Sequence, residues 1–193
     1  MMSPMLRKFK VKLNKLLYGS DTSVIEFNNR TDNVEGMSYL ICRAIVPDIP
    51  EILAIERSVY AGKMPWDFDN FKNEINKRRS TLYLVARYND ELVAFAGIDF
   101  RRTNNIAHIT NVAVAPNHQK KGLGRKLLKV MIEKAYEQKC KGIALEVREK
   151  NENAKKLYRD LGFKILSSKQ NYYTDENEDA LVMSLSFENA KER

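Results

Sequence analysis

The sequence predicts an α/β fold, a central mixed and strongly twisted sheet of about six to seven strands flanked by about four helices. Three observations carry that expectation. Strand-like and helix-like periodicities alternate from Met37 onward. The strand-like run Ile106 to Val114 feeds a polar turn with two glycines and then a long amphipathic helix. Turn chemistry, Asn89-Asp90 and Gly162, stands where one element gives way to the next. There is no internal repeat.

In chain order, Ser38 to Ala44 is strand-like, and Asp48 caps a helix running through Val59. Asp67 opens a second helix, ending near Lys77. Leu82 to Arg87 and Leu92 to Phe100 flank Asn89-Asp90 as a hairpin, and the strand from Ile106 stops before Pro116. Leu123, Leu127, Leu128, Met131, Ile132 and Ala135 give Lys121 to Gln138 a helical stripe. Gly142 to Val147 reads as a strand and Glu152 to Leu161 as a helix stopped by Gly162; Lys164 to Ser168 and Ala180 to Ser186 close the order. Upstream of this domain, assigned to 37–188, residues 1–36 read as an appendage and linker; 189–193 is a polar tail. Within the appendage, Leu6, Phe9, Leu13, Leu16 and Leu17 alternate with Arg7, Lys8, Lys10, Lys12 and Lys15 as a short cationic amphipathic helix, either a terminal helix or a contact to a ribosome or anionic membrane through residues 5–17.

A chain of 193 residues that is 44% hydrophobic can bury one substantial core. Cys42 and Cys140 lie far apart without metal-ligand spacing, so no metal site is expected and a reducing compartment fits. With neither a membrane-length apolar run nor a secretory signal, the expected location is cytoplasmic. A net charge of +8 favours a polyanionic partner without choosing one; most of the cations read as solvated helix faces, and no specific nucleic-acid site is expected.

The stretch from Asn111 through Val112, Ala113, Val114, Ala115, Pro116, Asn117, His118, Gln119, Lys120, Lys121, Gly122, Leu123, Gly124 and Arg125 brings backbone amides to a helix's positive end, an arrangement suited to a pyrophosphate. No Gly-Lys-Ser/Thr follows, which excludes a Walker loop, and Leu127 stands where a dinucleotide fingerprint has its third glycine. Close helix packing is the other explanation for the two glycines. The surrounding pattern, Gln-x-x-Gly-x-Gly after a strand and before an amphipathic helix, resembles the acetyl-CoA motif of the GNAT superfamily. That resemblance implies the GNAT fold, acetyl-CoA as co-substrate, amides and side chains of Gln119, Lys120, Lys121, Gly122, Leu123, Gly124 and Arg125 around the pyrophosphate, and Val112, Ala113 and Val114 along the pantetheine.

Farther on stand Leu145-Glu146-Val147-Arg148, Asn151 and Leu157-Tyr158-Arg159-Asp160-Leu161-Gly162-Phe163. The span from Ile106 to Leu185 resembles the RimI-like branch of that superfamily, which acetylates the N-terminus of a ribosomal protein; the likeness continues more weakly up to Met37. It implies Glu146 as general base, Tyr158 as general acid and Asn151 at a cofactor-contacting position. Independently, the flanking apolar Leu145 and Val147 turn Glu146 to the opposite face of its strand. Amine acetylation needs a deprotonated amine and a proton for the departing thiolate, so two proton-handling groups suffice. A free α-amine, with pKa of about 7.7–8.0 against about 10.4 for lysine, asks less of a single glutamate. The expected reaction is direct transfer from acetyl-CoA to a protein N-terminal α-amine, that of a small-subunit ribosomal protein. The alternatives are a lysine or small-amine acceptor, or a non-catalytic acetyl-CoA-binding protein associated with ribosome or membrane. Tyr60, Trp66, Tyr172 and Tyr173 are candidates for the peptide-side wall or for core packing. His108, His118 and Cys140 sit in no nucleophile motif.

Overall fold

The computed structural model describes residues 24–60, 65–100, 103–174 and 177–187. The cationic helix expected at Met5 to Leu17 and the tail at 189–193 lie outside them. Eight strands form one sheet: β1 (Arg30–Val34), β2 (Met37–Arg43), β3 (Thr81–Tyr88), β4 (Glu91–Asp99), β5 (Ile106–Val114), β6 (Gly142–Arg148), β7 (Lys164–Tyr173) and β8 (Glu178–Ser186). Their spatial order is β1-β2-β3-β4-β5-β6-β8-β7, antiparallel throughout except for β5 beside β6. Among the described residues there are four α-helices: α1 (Ile49–Val59), α2 (Phe68–Asn76), α3 (Leu123–Glu137) and α4 (Glu152–Asp160).

Two apolar layers sandwich the sheet. α1 and α2 cover one face with Ile49, Ile52, Ile55, Phe71 and Ile75, while α3 and α4 cover the other with Leu123, Leu127, Leu128, Met131 and Tyr158. Strands β3 and β4 lie between both layers, which explains their nearly unbroken apolar runs, Leu82 to Ala86 and Leu92 to Ile98. Asn89 and Asp90 join them with φ of 49° and 65°, left-handed values that Asn and Asp tolerate better than other side-chain-bearing residues. At α2 the capping box closes as the sequence suggests: Asp67 accepts from the Asn70 amide at 2.8 Å and donates its own amide to Asn70 Oδ1 at 3.0 Å. Asp48 precedes α1 without capping it; its carboxylate instead accepts from the Ile45 amide and pairs with Arg87.

Two expectations need correction. Residues 30–34, assigned to the linker, form β1 and pair along their whole length with β2, which makes the sheet eight-stranded rather than six- or seven-stranded. The strand expected to stop at Ser168 continues to Tyr173, and carries Lys169 and the two tyrosines alongside β8. Polar composition hid both: each is an outermost strand, and an edge strand has little buried face to impose alternation.

One irregularity prepares the site. Opposite Gly97, β5 takes an extra residue: Asn111 pairs with Gly97 and Ile109 with Ile98, leaving Thr110 bulged. The Tyr83 ring lies against Gly97, where a Cβ would approach it to 2.4 Å, and its hydroxyl bonds Thr110 Oγ1 at 2.7 Å and Asn111 Oδ1 at 2.8 Å. Just before this bulge the parallel pairing of β5 with β6 ends: Ile106, Ala107 and His108 pair with Gly142, Ile143 and Ala144, and no farther residue does. The bulge bends β5 away, and the sheet opens into a wedge between Ile109–Val114 and Leu145–Arg148.

Candidate active site

The wedge lies between the phosphate turn and the predicted acid–base pair. On its β5 side the strand ends in Pro116–His118, then the turn through Lys121, then α3. Lys120 has φ 59° and Gly122 φ 75°, so two left-handed residues aim the chain into α3. No side chain caps the first turn of α3, whose amides therefore remain directed outward beside Lys120, Lys121 and Arg125. Gln119 fixes the turn to the end of β5 through Nε2 on the Val114 carbonyl at 2.9 Å, and Arg125 pairs with Asp160 of α4 at 2.7 Å.

The two glycines separate under the packing explanation. Gly122 is required by its φ and by Val34, whose Cγ1 would lie 3.1 Å from an added Cβ. At Gly124 an added Cβ would meet Val114 and Leu157 only at ordinary contact, 3.5 and 3.9 Å. Protein packing therefore does not demand a glycine there, and a side chain is missing where a ligand would approach the helix start. Val112 and Val114 are half-buried and turn toward the α3 layer, while Ala113 is buried against the α1 layer. Asn151 caps α4, accepting from the Ala154 amide at 3.1 Å.

Glu146 lies on the β6 side of the wedge. Leu145 and Val147 are buried against α3 and α4, so Glu146 faces α1 and α2. Both its oxygens are engaged: Oε2 with His108 Nε2 at 2.5 Å and Oε1 with Lys169 Nζ at 2.7 Å. The bond to His108, followed by that to Lys169, holds the carboxyl at about 2 against the opposing effect of burial. His108 Nδ1 is itself buried and without a hydrogen-bond partner. His108, which sits in no nucleophile motif, enters because β5 and β6 run parallel there and it pairs with Ala144, one alternation short of Glu146.

Tyr158 comes from the opposite face. It belongs to the α3 and α4 layer and packs on Phe163, with ring centroids 5.8 Å apart. Yet the ionisable groups that act on its hydroxyl are Tyr60, just past α1, and Tyr173 at the end of β7, both from the far side of the sheet. The open wedge is what allows this. Burial raises the Tyr158 hydroxyl well above a phenol's usual range, so it stays protonated at neutral pH. Arg148 stacks over Tyr173 at 4.0 Å and pairs with Glu178 at 3.1 Å; Lys169 lies 5.0 Å over Tyr172.

The remaining aromatic candidates divide. Tyr60 stands near Arg148 and Tyr158, and Tyr172 is 47% exposed beside the wedge, whereas Trp66 packs on Phe71 and Tyr83 as part of the α1 and α2 core. His118 lines the phosphate turn from behind, with Nδ1 3.0 Å from the Tyr39 hydroxyl. Cys140 is buried packing. A second carboxylate had no place in the expectations: Glu56 of α1 is only 1% exposed, its Oε2 has no partner, and burial, partly offset by the Trp66 amide, raises it to about 7. A signal for it was available, since Glu56 falls on the apolar stripe, seven after Ile49 and four after Ile52. Among the described residues no group of three or more His, Cys, Asp or Glu could hold a metal, and no helix is long and apolar enough to cross a membrane.

Comparison with known proteins agrees with this geometry. Residues 47–163 match the model of the acetyltransferase (GNAT) family. A putative [ribosomal protein bS18]-alanine N-acetyltransferase of Bacillus subtilis is 34% identical over 136 residues, 70% of this chain and 87% of the relative. The [ribosomal protein bS18]-alanine N-acetyltransferase of Escherichia coli is 34% identical over 140 residues, 72% of this chain and 90% of its own. The crystal structure of the Escherichia coli ribosomal-protein-S18-alanine N-acetyltransferase superposes with a TM-score of 0.67 at 33% identity, covering 77% of this chain and 93% of that one. The structure of a putative acetyltransferase from Salmonella typhimurium with its cofactor acetyl-CoA shares the fold, with a TM-score of 0.65 at 23% identity over 78% of this chain and 94% of its own.

Proposed function

Because the chain belongs to the GNAT acetyltransferase family and is an N-acetyltransferase, we propose that it transfers the acetyl group of acetyl-CoA to the N-terminal α-amine of a protein, a small-subunit ribosomal protein of the bS18 kind. The observation that carries this reading is the wedge between β5 and β6, with the Gln119–Arg125 turn following β5, Glu146 on β6 and Tyr158 on the helix that follows β6. The relatives' acceptor supports the substrate; the geometry supports the chemistry.

The turn from Gln119 to Arg125 would hold the pyrophosphate on outward amides and basic side chains, and Val112 to Val114 offer a strand edge left unpaired by the wedge for the pantetheine arm. When bound, acetyl-CoA supplies the activated acetyl thioester. The Glu146–His108 pair takes the proton of the incoming ammonium, directly or through water, with the negative charge of Glu146 available throughout the physiological range. Tyr158, kept neutral by burial, donates its proton to the departing thiolate. An α-amine, with an ordinary pKa of about 7.7–8.0, yields its proton at neutral pH far more readily than lysine at about 10.4.

The test is turnover of acetyl-CoA with a synthetic peptide carrying the ribosomal protein's N-terminus, beside the same peptide with its α-amine blocked and an internal lysine free. Acetylation of the free-amine peptide alone is expected. Acetylation of both, or of the blocked peptide alone, moves the acceptor to lysine; turnover with small amines only discards the protein acceptor.

A further inference from the structure

The phosphate turn holds two consecutive problems of backbone geometry. Lys120 carries a side chain at φ 59°, and Gly122 sits at φ 75° one residue before α3. Left-handed residues persist when their surroundings over-determine them. Only part of that support comes from the elements that flank the turn in sequence, through Gln119 on Val114 and Arg125 on Asp160. The rest comes from the N-terminal hairpin of β1 and β2, which begins before the segment matched by the family model.

Three contacts tie that hairpin to the turn and to α3. At its tip, Val34 presses against the Cα of Gly122, filling the space where a Cβ would stand 3.1 Å from Val34 Cγ1. On β2, the buried Tyr39 places its hydroxyl 3.0 Å from His118 Nδ1, and the ring of Tyr88 packs on the same imidazole with centroids 5.3 Å apart. Along β1, Asp32 pairs with Lys126 of the first turn of α3 at 3.2 Å, and Arg30 reaches Glu133 two turns on at 4.0 Å. The turn is thus gripped before its first left-handed residue, at its second, and one helical turn beyond. Glu35, at the hairpin tip, brings a carboxylate oxygen to 3.5 Å from the same Cβ position, beside the turn that carries Lys120, Lys121 and Arg125.

We infer that the β1–β2 hairpin is a brace for the phosphate turn, and that Val34, Asp32 and Tyr39 are positioning residues that set the affinity for acetyl-CoA. The inference rests on the acetyl-CoA reading above. Amides already aimed at the pyrophosphate need no ordering when it arrives, and an unbraced turn would have to be ordered on binding. Tyr39 and Asp32 touch neither the wedge nor Glu146, so the chemical step and the acceptor groove are outside their reach. Glu35 acts in the opposite sense, because a carboxylate beside a bound anion opposes it.

Full-length protein carrying Tyr39→Phe, Asp32→Asn or both would be measured for acetyl-CoA dissociation constant, KM for acetyl-CoA, KM for peptide and kcat, with thermal unfolding to establish that each variant is folded. The brace predicts a dissociation constant and KM for acetyl-CoA raised about threefold to tenfold, larger in the double variant, with kcat and peptide KM unchanged. Glu35→Gln should lower the acetyl-CoA dissociation constant by about twofold to fivefold. Folded variants that bind acetyl-CoA within twofold of the parent, or that lose kcat and both KM values together, overturn the brace. A parent protein that binds no acetyl-CoA overturns instead the reading on which it rests.

Discussion

Glu146 and Glu56 stand on the same face of the sheet and meet opposite fates. Glu146, on β6, spends both oxygens on cations or potential cations and is held at about 2; Glu56, on α1, has one oxygen on a backbone amide and the other on nothing, and rises to about 7. Burial disfavours charge in both, more so in Glu56, and only Glu146 has side-chain partners that outweigh it. The lesson is that a carboxylate becomes a durable anion where the sheet brings a histidine and a lysine to it. It becomes a half-neutral passenger where a helix only buries it. By proton affinity Glu56 would look the better base, yet its free oxygen is buried in the α1 layer, while Glu146 stands on β6 just past the point where that strand parts from β5.

Replacing each carboxylate in turn would break or sharpen this contrast. The largest effect is expected from Glu146→Gln, which should lower kcat by about 10²–10⁴ while leaving acetyl-CoA binding intact. A calorimetric titration beside a turnover assay separates the two, and undiminished turnover removes Glu146 from the chemistry. Tyr158→Phe should cost on the order of 10² in kcat, at the lower end because water can replace a lost proton donor; an acetyl thioester of a more acidic thiol, used in place of acetyl-CoA, should restore turnover.

Glu56→Gln should move stability and leave turnover alone. The native carboxyl binds its proton more tightly than the ordinary 4.5 of an unfolded chain, so the folded state holds more protons between about 4.5 and 7, and parent stability falls as pH rises through that window. Glutamine does not titrate. Urea unfolding at pH 8 should therefore favour the variant by up to about 3 kcal/mol, with the advantage gone below pH 4.5. An advantage that failed to grow with pH would mean that Glu56 finds a partner. For Glu146 the sign reverses: its folded value is depressed, so its contribution is present above 4.5 and is lost as pH falls toward 2. The smallest effect belongs to Lys169→Met. That lysine is 47% exposed, and an exposed partner is worth about 0–1 kcal/mol, so kcat should change less than about fivefold.

Most of the scaffold was legible because its elements bury a face. The period-two and helical stripes located β2 through β6 and all four helices to within a residue or two, and the Asn89-Asp90 turn emerged with the left-handed geometry its residues suggested. The outer strands were missed or cut short for the converse reason: every residue of Lys164–Tyr173 but Tyr173 is exposed, and Arg-Thr-Asp-Asn-Val shows a single buried side chain. Glu146 and Tyr158 could be singled out from local pattern and family resemblance. His108 could not, because its bond to Glu146 depends on the register of two strands 38 residues apart, and register is a property of the assembled sheet.

The early parting of β5 from β6 has a consequence for the protein's life between turnovers. It leaves a row of peptide groups without a ladder partner in the middle of a sheet, where a stray extended segment from another polypeptide could dock as readily as the intended guest. An unfilled gap of this kind is a general aggregation hazard. A ligand seated in that gap would pair those groups, and its binding to the folded state would raise the unfolding temperature.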